Sequence, residues 1–166
     1  MIILGIDPGT ATTGYELIKF YKRSGRIDLI DYGCIFTTPE FSDAQRLNQT
    51  YKKLNQVVKK NKPDILAIES IFFFKNSKTA IKVSQTKGVI LFWAAKNKIP
   101  VYELTPLQVK LGIVGYGRAK KKQVQRMIKE LLQLKEIPKP DDAADALAVA
   151  ICCSTAIKNQ KCEKSS

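Results

Sequence analysis

Apolar residues recur along this chain with two different periods, which predict a mixed α/β fold. Five short apolar runs have the length and composition of β-strands, at residues 1–6, 15–21, 27–37, 64–69 and 100–104. Ser24 and Gly25, between the second and third runs, predict a hairpin. The first three strands should therefore form an antiparallel meander, and the later ones should join it in parallel.

Apolar positions spaced by three or four residues predict the helices. They cover residues 42–60, 77–96 and 120–134, and a last helix begins at 141–145 and continues through 151. Pro63 should stop the first helix, whereas Thr105 and Pro106 predict the N-cap and first residue of another. We therefore expect one domain over residues 1–157, followed by a polar, disordered tail at 158–166.

Four carboxylates fall where these predicted elements end or begin. Asp7 follows the first apolar run and Glu69 ends the fourth, and Asp142 and Asp145 share one face at the start of the last helix. If the two strands are neighbours and the helix crosses their carboxyl ends, all four side chains meet. Hard cations such as Mg²⁺ prefer such oxygen ligands. The sequence therefore predicts a metal site, with the adjacent Asp141 as the helix N-cap.

Composition narrows the possible partners and chemistry. The chain carries 28 Lys and Arg against 15 Asp and Glu, a net charge of +13, which favours a polyanionic partner. It contains no histidine, so mechanisms that use a histidine base are excluded. No apolar run approaches the roughly 20 residues of a membrane helix, and residues 1–5 lack a signal-peptide charge pattern. Cys152 and Cys153 are expected to pack in a core. We therefore expect a cytoplasmic protein without membrane partners.

Four segments in order, from about residue 2 to 152, resemble the motifs of RuvC, the bacterial family of Holliday-junction resolvases. They are GIDPGT at 5–10 with TGY at 13–15, AIESIF at 67–72 with KN at 75–76, QVK at 108–110 with VG at 114–115 and K-x-QVQ at 121–125, and DAADAL at 142–147. Each motif alone is weak. Their order and separations, in a chain of matching length, make the resemblance specific.

The resemblance implies a fold, a reaction and partners. The fold would be ribonuclease H-like, a five-stranded mixed sheet flanked by helices. The activity would be endonuclease cleavage of four-way DNA junctions in recombination and repair. It would need Mg²⁺, two ions per subunit, with Mn²⁺ as a substitute. The enzyme would act as a homodimer alongside the RuvA and RuvB branch-migration complex.

The resemblance also assigns roles to individual residues. It implies that Asp7, Glu69, Asp142 and Asp145 bind the metal ions. Lys121 and Lys110 would lie near the scissile phosphate, and Phe72 would stack against bases. Lys75, within the second motif, would also contact DNA. Apart from the resemblance, the clustered basic residues Arg118, Lys120 and Lys122 are expected to follow the phosphate backbone. The richly basic segment 118–122 departs from the family pattern and should bear on DNA affinity.

Other functions remain open at this point. A catalytically idle, structure-selective DNA-binding protein could keep the same fold. A general nuclease or a hydrolase of RNA/DNA hybrids would share the chemistry and differ in substrate. An ATP-binding enzyme of the actin, sugar kinase and Hsp70 type has a similar first phosphate loop, but needs a second loop and a longer chain. The apolar helix around residues 81–93 could form a dimer interface or face the sheet.

Overall fold

A five-stranded mixed sheet forms the centre of the computed structural model, which describes residues 1–59, 61–70, 77–137 and 139–162. The strands are β1 Ile2–Asp7, β2 Thr12–Phe20, β3 Ile27–Phe36, β4 Ile65–Glu69 and β5 Val101–Leu104. Their order across the sheet is β3-β2-β1-β4-β5. The first three are antiparallel, and β4 runs parallel to both β1 and β5. The predicted ribonuclease H-like arrangement of strands is therefore confirmed.

Five helices cover the two faces of this sheet within the described ranges. They are α1 Asp43–Val57, α2 Ser77–Lys96, α3 Pro106–Val114, α4 Lys121–Leu131 and α5 Asp141–Cys162. The predicted bounds of α2 are confirmed. The predicted cap of α3 is also confirmed, because Thr105 Oγ1 accepts a hydrogen bond from the backbone N–H of Gln108 at 3.1 Å.

Several helix ends differ from the sequence prediction. Helix α1 was predicted to reach residue 60 but ends at Val57. Helix α4 was predicted to reach residue 134 but ends at Leu131, because Gln133 adopts a positive φ of 51°, which is incompatible with a continued helix. Asp141 is the first residue of α5 and not its N-cap, so that prediction was wrong. Helix α5 also continues to Cys162, into the segment 158–166 predicted as a tail.

The sheet separates two apolar cores, as the alternation of side chains along a strand requires. On one face, Ile3 and Ala67 pack against the apolar side of α5. On the other face, Leu4 and Ile68 pack with the fully buried Trp93 of α2. Asp7 and Glu69 have the same parity as Ile3 and Ala67, so both acids point to the α5 face.

Glycines allow α5 to lie directly on the sheet. A Cβ atom at Gly14 of β2 would lie 2.0 Å from the carbonyl oxygen of Asp142. A Cβ atom at Gly5 of β1 would lie 2.6 Å from the carbonyl oxygen of Ala146. Only glycine tolerates such close backbone approach. The first turns of α5 are thereby held against the carboxyl end of β1.

Two further predictions concern packing and membranes. Cys152 and Cys153 are buried in α5 at 5% and 0% exposure, which confirms their packing role. None of the helices in the described ranges is both long enough and apolar enough to cross a membrane.

Helix α2 has one buried and one exposed apolar side. Ile90 is buried against the sheet, whereas Phe92 is exposed.

Candidate metal centre

The ends of two neighbouring strands supply the first two carboxylates. Strands β1 and β4 pair in parallel, with Ile6 opposite Ile68. The next residue on each strand is an acid, Asp7 on β1 and Glu69 on β4, and both lie on the α5 face. The sequence predicted this adjacency, and the sheet order confirms it.

Helix α5 supplies the other two carboxylates from its first two turns. Asp142 and Asp145 are three residues apart, so their side chains lie on one face of the helix. Carboxylate oxygens of Asp7, Asp142 and Asp145 all lie within 4.8 Å of one another, and each side chain is partly exposed. We call these three residues the acidic cluster. A cation in contact with all three would have oxygen ligands only, as Mg²⁺ prefers.

Glu69 borders the acidic cluster without belonging to it. Within the described residues, the group within 4.8 Å contains three acids, and Glu69 is not among them. Burial, and then the negative charges of Asp7 and Asp145, raises the pKa of Glu69 to about 7, while the ammonium of Lys110 lowers it in part. Glu69 is therefore electrostatically coupled to the cluster although its carboxylate is further away.

The charges of the site are out of balance in the absence of a cation. Burial, followed by the charges of Asp145 and Asp142, raises the pKa of Asp7 to about 7. Burial raises the pKa of Asp145 as well, although Lys121 acts against this. Carboxylates with these pKa values are held close together at an electrostatic cost, which a divalent cation removes. The donor set thus fits a hard metal ion.

Lys121 provides a positive charge at the edge of the cluster. Its Nζ lies 2.8 Å from Asp145 Oδ2 and 3.4 Å from Asp141 Oδ2. Burial on its own would lower the pKa of Lys121, but its hydrogen bond with Asp145 and the charges of both acids raise it. Lys121 begins α4, so the packing of α4 against α5 places this ammonium beside the carboxylates.

The other predicted DNA-binding residues fall into two groups. Arg118, Lys120 and Lys122 are exposed and lie close to Lys121 in sequence, and we call these four residues the basic edge. Phe72 and Lys75 belong to residues 71–76, outside the described part of the chain. Their predicted roles remain predictions.

Sequence reasoning missed a fifth carboxyl group near the site. Glu16 lies in β2 opposite Gly5, at 0% exposure, and neither of its carboxylate oxygens has a hydrogen-bond partner among the described residues. Burial raises its pKa well above the ordinary value, and the charges of Asp7 and Asp145 raise it further. The only sequence signal was a glutamate inside an apolar run.

Three side chains around the turn that follows Asp7 were also missed. Thr13, Thr37 and Arg46 donate or accept hydrogen bonds there. Their spacing in sequence gives no sign of this, because the partners come from β2, the end of β3 and α1. These residues are considered further below.

Comparisons of the sequence with known proteins all identify the same family. The family model described as "Crossover junction endodeoxyribonuclease RuvC" matches residues 3–153. The chain is 55% identical over 152 residues to a protein of that name from Syntrophomonas wolfei, covering 92% of this chain and 87% of the relative. It is 52% identical over 161 residues to the namesake from Clostridioides difficile, covering 97% and 94%.

A solved structure agrees with the sequence comparisons. The structure of Thermus thermophilus RuvC in complex with a Holliday junction substrate superposes with a TM-score of 0.90 and 31% identity. The match covers 96% of each chain. The similarity therefore extends over the whole sheet and its flanking helices, including the elements that carry the acidic cluster.

Proposed function

The chain belongs to the RuvC family of crossover junction endodeoxyribonucleases, and we propose that its cleavage centre consists of Asp7, Glu69, Asp142 and Asp145. Its function is that of an endonuclease that resolves Holliday junctions in DNA recombination and repair. The observation that carries the assignment of the centre is the meeting of three carboxylates within 4.8 Å, with Lys121 Nζ 2.8 Å from one of them.

The proposed centre divides the work of hydrolysis between carboxylates and ammonium groups. Bound divalent cations supply activation of the attacking water and charge relief at the attacking and leaving oxygens. Asp7, which borders both Glu69 and the α5 pair, holds the central position, and the other three acids complete the ligand set. The ammonium of Lys121 lies beside the carboxylates and can donate a hydrogen bond to a phosphate oxygen. Lys110, whose charge reaches Glu69, would do the same on the other side.

The same proposal includes the identity and number of the ions. A centre built from carboxylates alone suits Mg²⁺, and it accepts Mn²⁺ as well. Cleavage with charge relief at both reacting oxygens favours two ions per subunit. Four acids around one space provide enough oxygens for such a pair.

We also propose how the DNA is held. The exposed residues Arg118, Lys120 and Lys122 continue the basic edge from Lys121, so they can follow a phosphate backbone away from the scissile bond. Phe72 and Lys75 would complete the surface, with the aromatic ring stacked on an unpaired base. The net charge of +13 supports a polyanionic substrate of this kind.

A homodimer is part of the proposal because one acidic cluster cuts one strand. Two-fold symmetry would supply the second centre for a paired cut. Ile81 and Phe92 of α2 are 57% and 61% exposed, on the side of the helix away from the buried Ile90 and Trp93. This exposed apolar face is the surface we assign to the dimer. The proposed assembly acts in the cytoplasm, alongside RuvA and RuvB.

The decisive experiment uses a synthetic four-way DNA junction with Mg²⁺ or EDTA. We expect paired, symmetric cuts that give ligatable nicked duplexes, lost with EDTA and in Asp7→Asn while junction binding persists. Asp31→Asn is the matched control, because Asp31 is an exposed acid on β3 outside the cluster. Light scattering on the same samples should report a dimer at micromolar concentration.

Three outcomes would contradict parts of the proposal. Tight junction binding without cleavage in any divalent metal would indicate an idle binding protein. Equal cutting of linear duplex would indicate a general nuclease. A monomer mass with junction resolution intact would remove the dimer.

A further inference from the structure

The turn between Asp7 and β2 is fixed by an arginine from a distant helix. Arg46 lies in the first turns of α1, and its Nη2 donates a hydrogen bond to the carbonyl oxygen of Thr10 at 2.5 Å. Its Nε donates to Thr37 Oγ1 at 3.1 Å. One guanidinium therefore joins the turn that leaves the metal centre to the residue that follows β3.

The contact is a closed set of hydrogen bonds. Thr37 Oγ1, which accepts from Arg46, donates to the same Thr10 carbonyl oxygen at 2.9 Å. The backbone N–H of Thr37 donates to the carbonyl oxygen of Ala11 at 2.9 Å. Thr37 is 8% exposed, so these bonds form largely out of water, where charge-assisted hydrogen bonds are strongest.

The same turn is held on its other side and at the base of α1. Thr13 Oγ1 donates to the carbonyl oxygen of Gly9 at 3.2 Å. Ser42 and Gln45 form a capping box that fixes the first turn of α1, and Arg46 directly follows Gln45. The turn is thus tied from within the β1–β2 hairpin by Thr13 and from outside it by Thr37 and Arg46, and Arg46 is the link to α1.

This arrangement bears on the metal centre because of where the turn begins. Asp7 is the last residue of β1, and only Pro8 and Gly9 separate it from Thr10. Resting on the function proposed above, we propose that Arg46 is a positioning residue: together with Thr37, it holds the turn so that the Asp7 carboxylate meets Asp142 and Asp145 in the geometry a divalent cation needs.

The hydrogen bonds commit one edge of the Arg46 guanidinium to the turn. Its Nε binds Thr37 and its Nη2 binds Thr10, and the junction Kd measured below tests whether the other N–H groups contact DNA. The charges that act on Asp7 are those of Asp145, Asp142 and Lys121. Arg46 therefore influences the centre through hydrogen bonds to the backbone, and a lysine, which has fewer donors and no planar fork, should replace it only in part.

The test compares Arg46→Met, Arg46→Lys and Thr37→Val with the native protein. Lys53→Met is the matched control, because Lys53 also ties α1 to the β3 strand, through the carbonyl of Phe36 at 2.7 Å, but does not touch the turn. Two quantities are measured for each protein. They are the half-saturating Mg²⁺ concentration for cleavage of a four-way junction, and hydrogen–deuterium exchange of residues 8–13 without DNA.

We expect Arg46→Met to raise the half-saturating Mg²⁺ concentration about tenfold or more, as loss of support for metal ligands commonly does. The maximal rate should return at high Mg²⁺, with the junction Kd unchanged. Exchange in residues 8–13 should become faster. Thr37→Val should act in the same direction, Arg46→Lys should recover part of the loss, and Lys53→Met should match the native protein.

Several results would overturn the inference. A weaker junction Kd with an unchanged Mg²⁺ requirement would make Arg46 a DNA contact. Native exchange in residues 8–13 of Arg46→Met would show that the turn does not depend on it. If Arg46→Met does not fold, Thr37→Val decides the matter with the same two measurements.

Failure of the proposed function would look different. In that case the native protein would not cut junctions under any condition. Arg46→Met and the native chain could still be compared by hydrogen–deuterium exchange of residues 8–13 and by the rise in Tm that Mg²⁺ alone causes. Equal rises in both proteins would then overturn the positioning role by itself.

Discussion

Two carboxyl environments lie close together on one face of the sheet and differ in their access to solvent. Asp7 ends β1, opposite Gly14, whereas Glu16 lies opposite Gly5, two residues earlier along that strand, or about 7 Å. Burial is the largest cause of a raised pKa at both positions. Yet Asp7 is partly exposed and shares its space with other acids, while Glu16 is fully buried beneath α5.

The comparison shows that a perturbed carboxyl is not by itself a reactive site. At the open end, which is the acidic cluster around Asp7, several carboxylates and the ammonium of Lys121 converge where solvent and a phosphate can enter. At the closed end, Ala146 and Ala150 of α5 cover Glu16 at the position of Gly5, so no ligand can reach it. Access and the number of convergent donors distinguish the two environments, because burial is common to both.

The largest expected effect tests whether chemistry belongs to the open end alone. Asp145→Asn should lower junction cleavage by about 10³-fold, equivalent to about 4 kcal/mol of lost transition-state stabilisation. Glu16→Gln should keep cleavage within about twofold of native. Single-turnover cleavage of a four-way junction measures both. A comparable loss in Glu16→Gln would mean that the two environments act as one.

Metal binding should depend on pH at the open end. Asp7 and Glu69 have pKa values of about 7, so below pH 7 each holds a proton that a cation must displace. The Mg²⁺ concentration needed to raise Tm should therefore fall as pH increases from 6 to 7, by up to about tenfold per pH unit for each proton released, and should level off towards pH 8 as both carboxyls ionise.

Thermal unfolding with and without Mg²⁺ at pH 6, 7 and 8 checks this dependence. Asp7→Asn serves as the variant that should lose most of the Mg²⁺ effect. A Tm that does not respond to Mg²⁺ at any pH would contradict the carboxylate centre.

The buried Glu16 at the closed end should make the free energy of unfolding depend on pH. Because the pKa of Glu16 is raised on folding, the folded state keeps a proton that the unfolded state releases. The resulting stability is fully present below the unfolded pKa, about 4.5, and is lost as pH rises towards the folded pKa. Glu16→Gln lacks this loss, so its advantage over the native chain should grow by about 1.4 kcal/mol per pH unit across that window.

Urea unfolding at pH 5, 6 and 7 measures this difference. A constant packing cost of the buried amide would shift the variant's curve without changing its slope. Glu40→Gln is the control, because Glu40 is exposed. Parallel pH curves for Glu16→Gln and the native protein would refute a buried neutral carboxyl.

The smallest expected effect concerns the ion pair that borders the open end. The side chains of Lys121 and Asp145 are 46% and 33% exposed, so water screens their attraction. Lys121→Met should lower the free energy of unfolding in EDTA by less than about 1 kcal/mol. Urea unfolding beside Lys122→Met, an exposed neighbour, gives the measurement. A loss of several kcal/mol would mean that the pair holds α4 against α5.

Local sequence determined much of this protein. The periods of two and 3.6 residues located the strands and most helices, and Thr105 with Pro106 marked a helix start. The spacing of Asp142 and Asp145 fixed them on one helix face. These features depend on backbone geometry within a few residues, so they can be read from the order of amino acids.

Tertiary structure decided what distant segments do to one another. The close approach of α5 to Gly5 and Gly14 brought the acids together and also buried Glu16. Arg46 reaches Thr10 across 36 positions of the chain. Such contacts depend on how whole elements pack, and residue spacing within a single element contains no information about that packing.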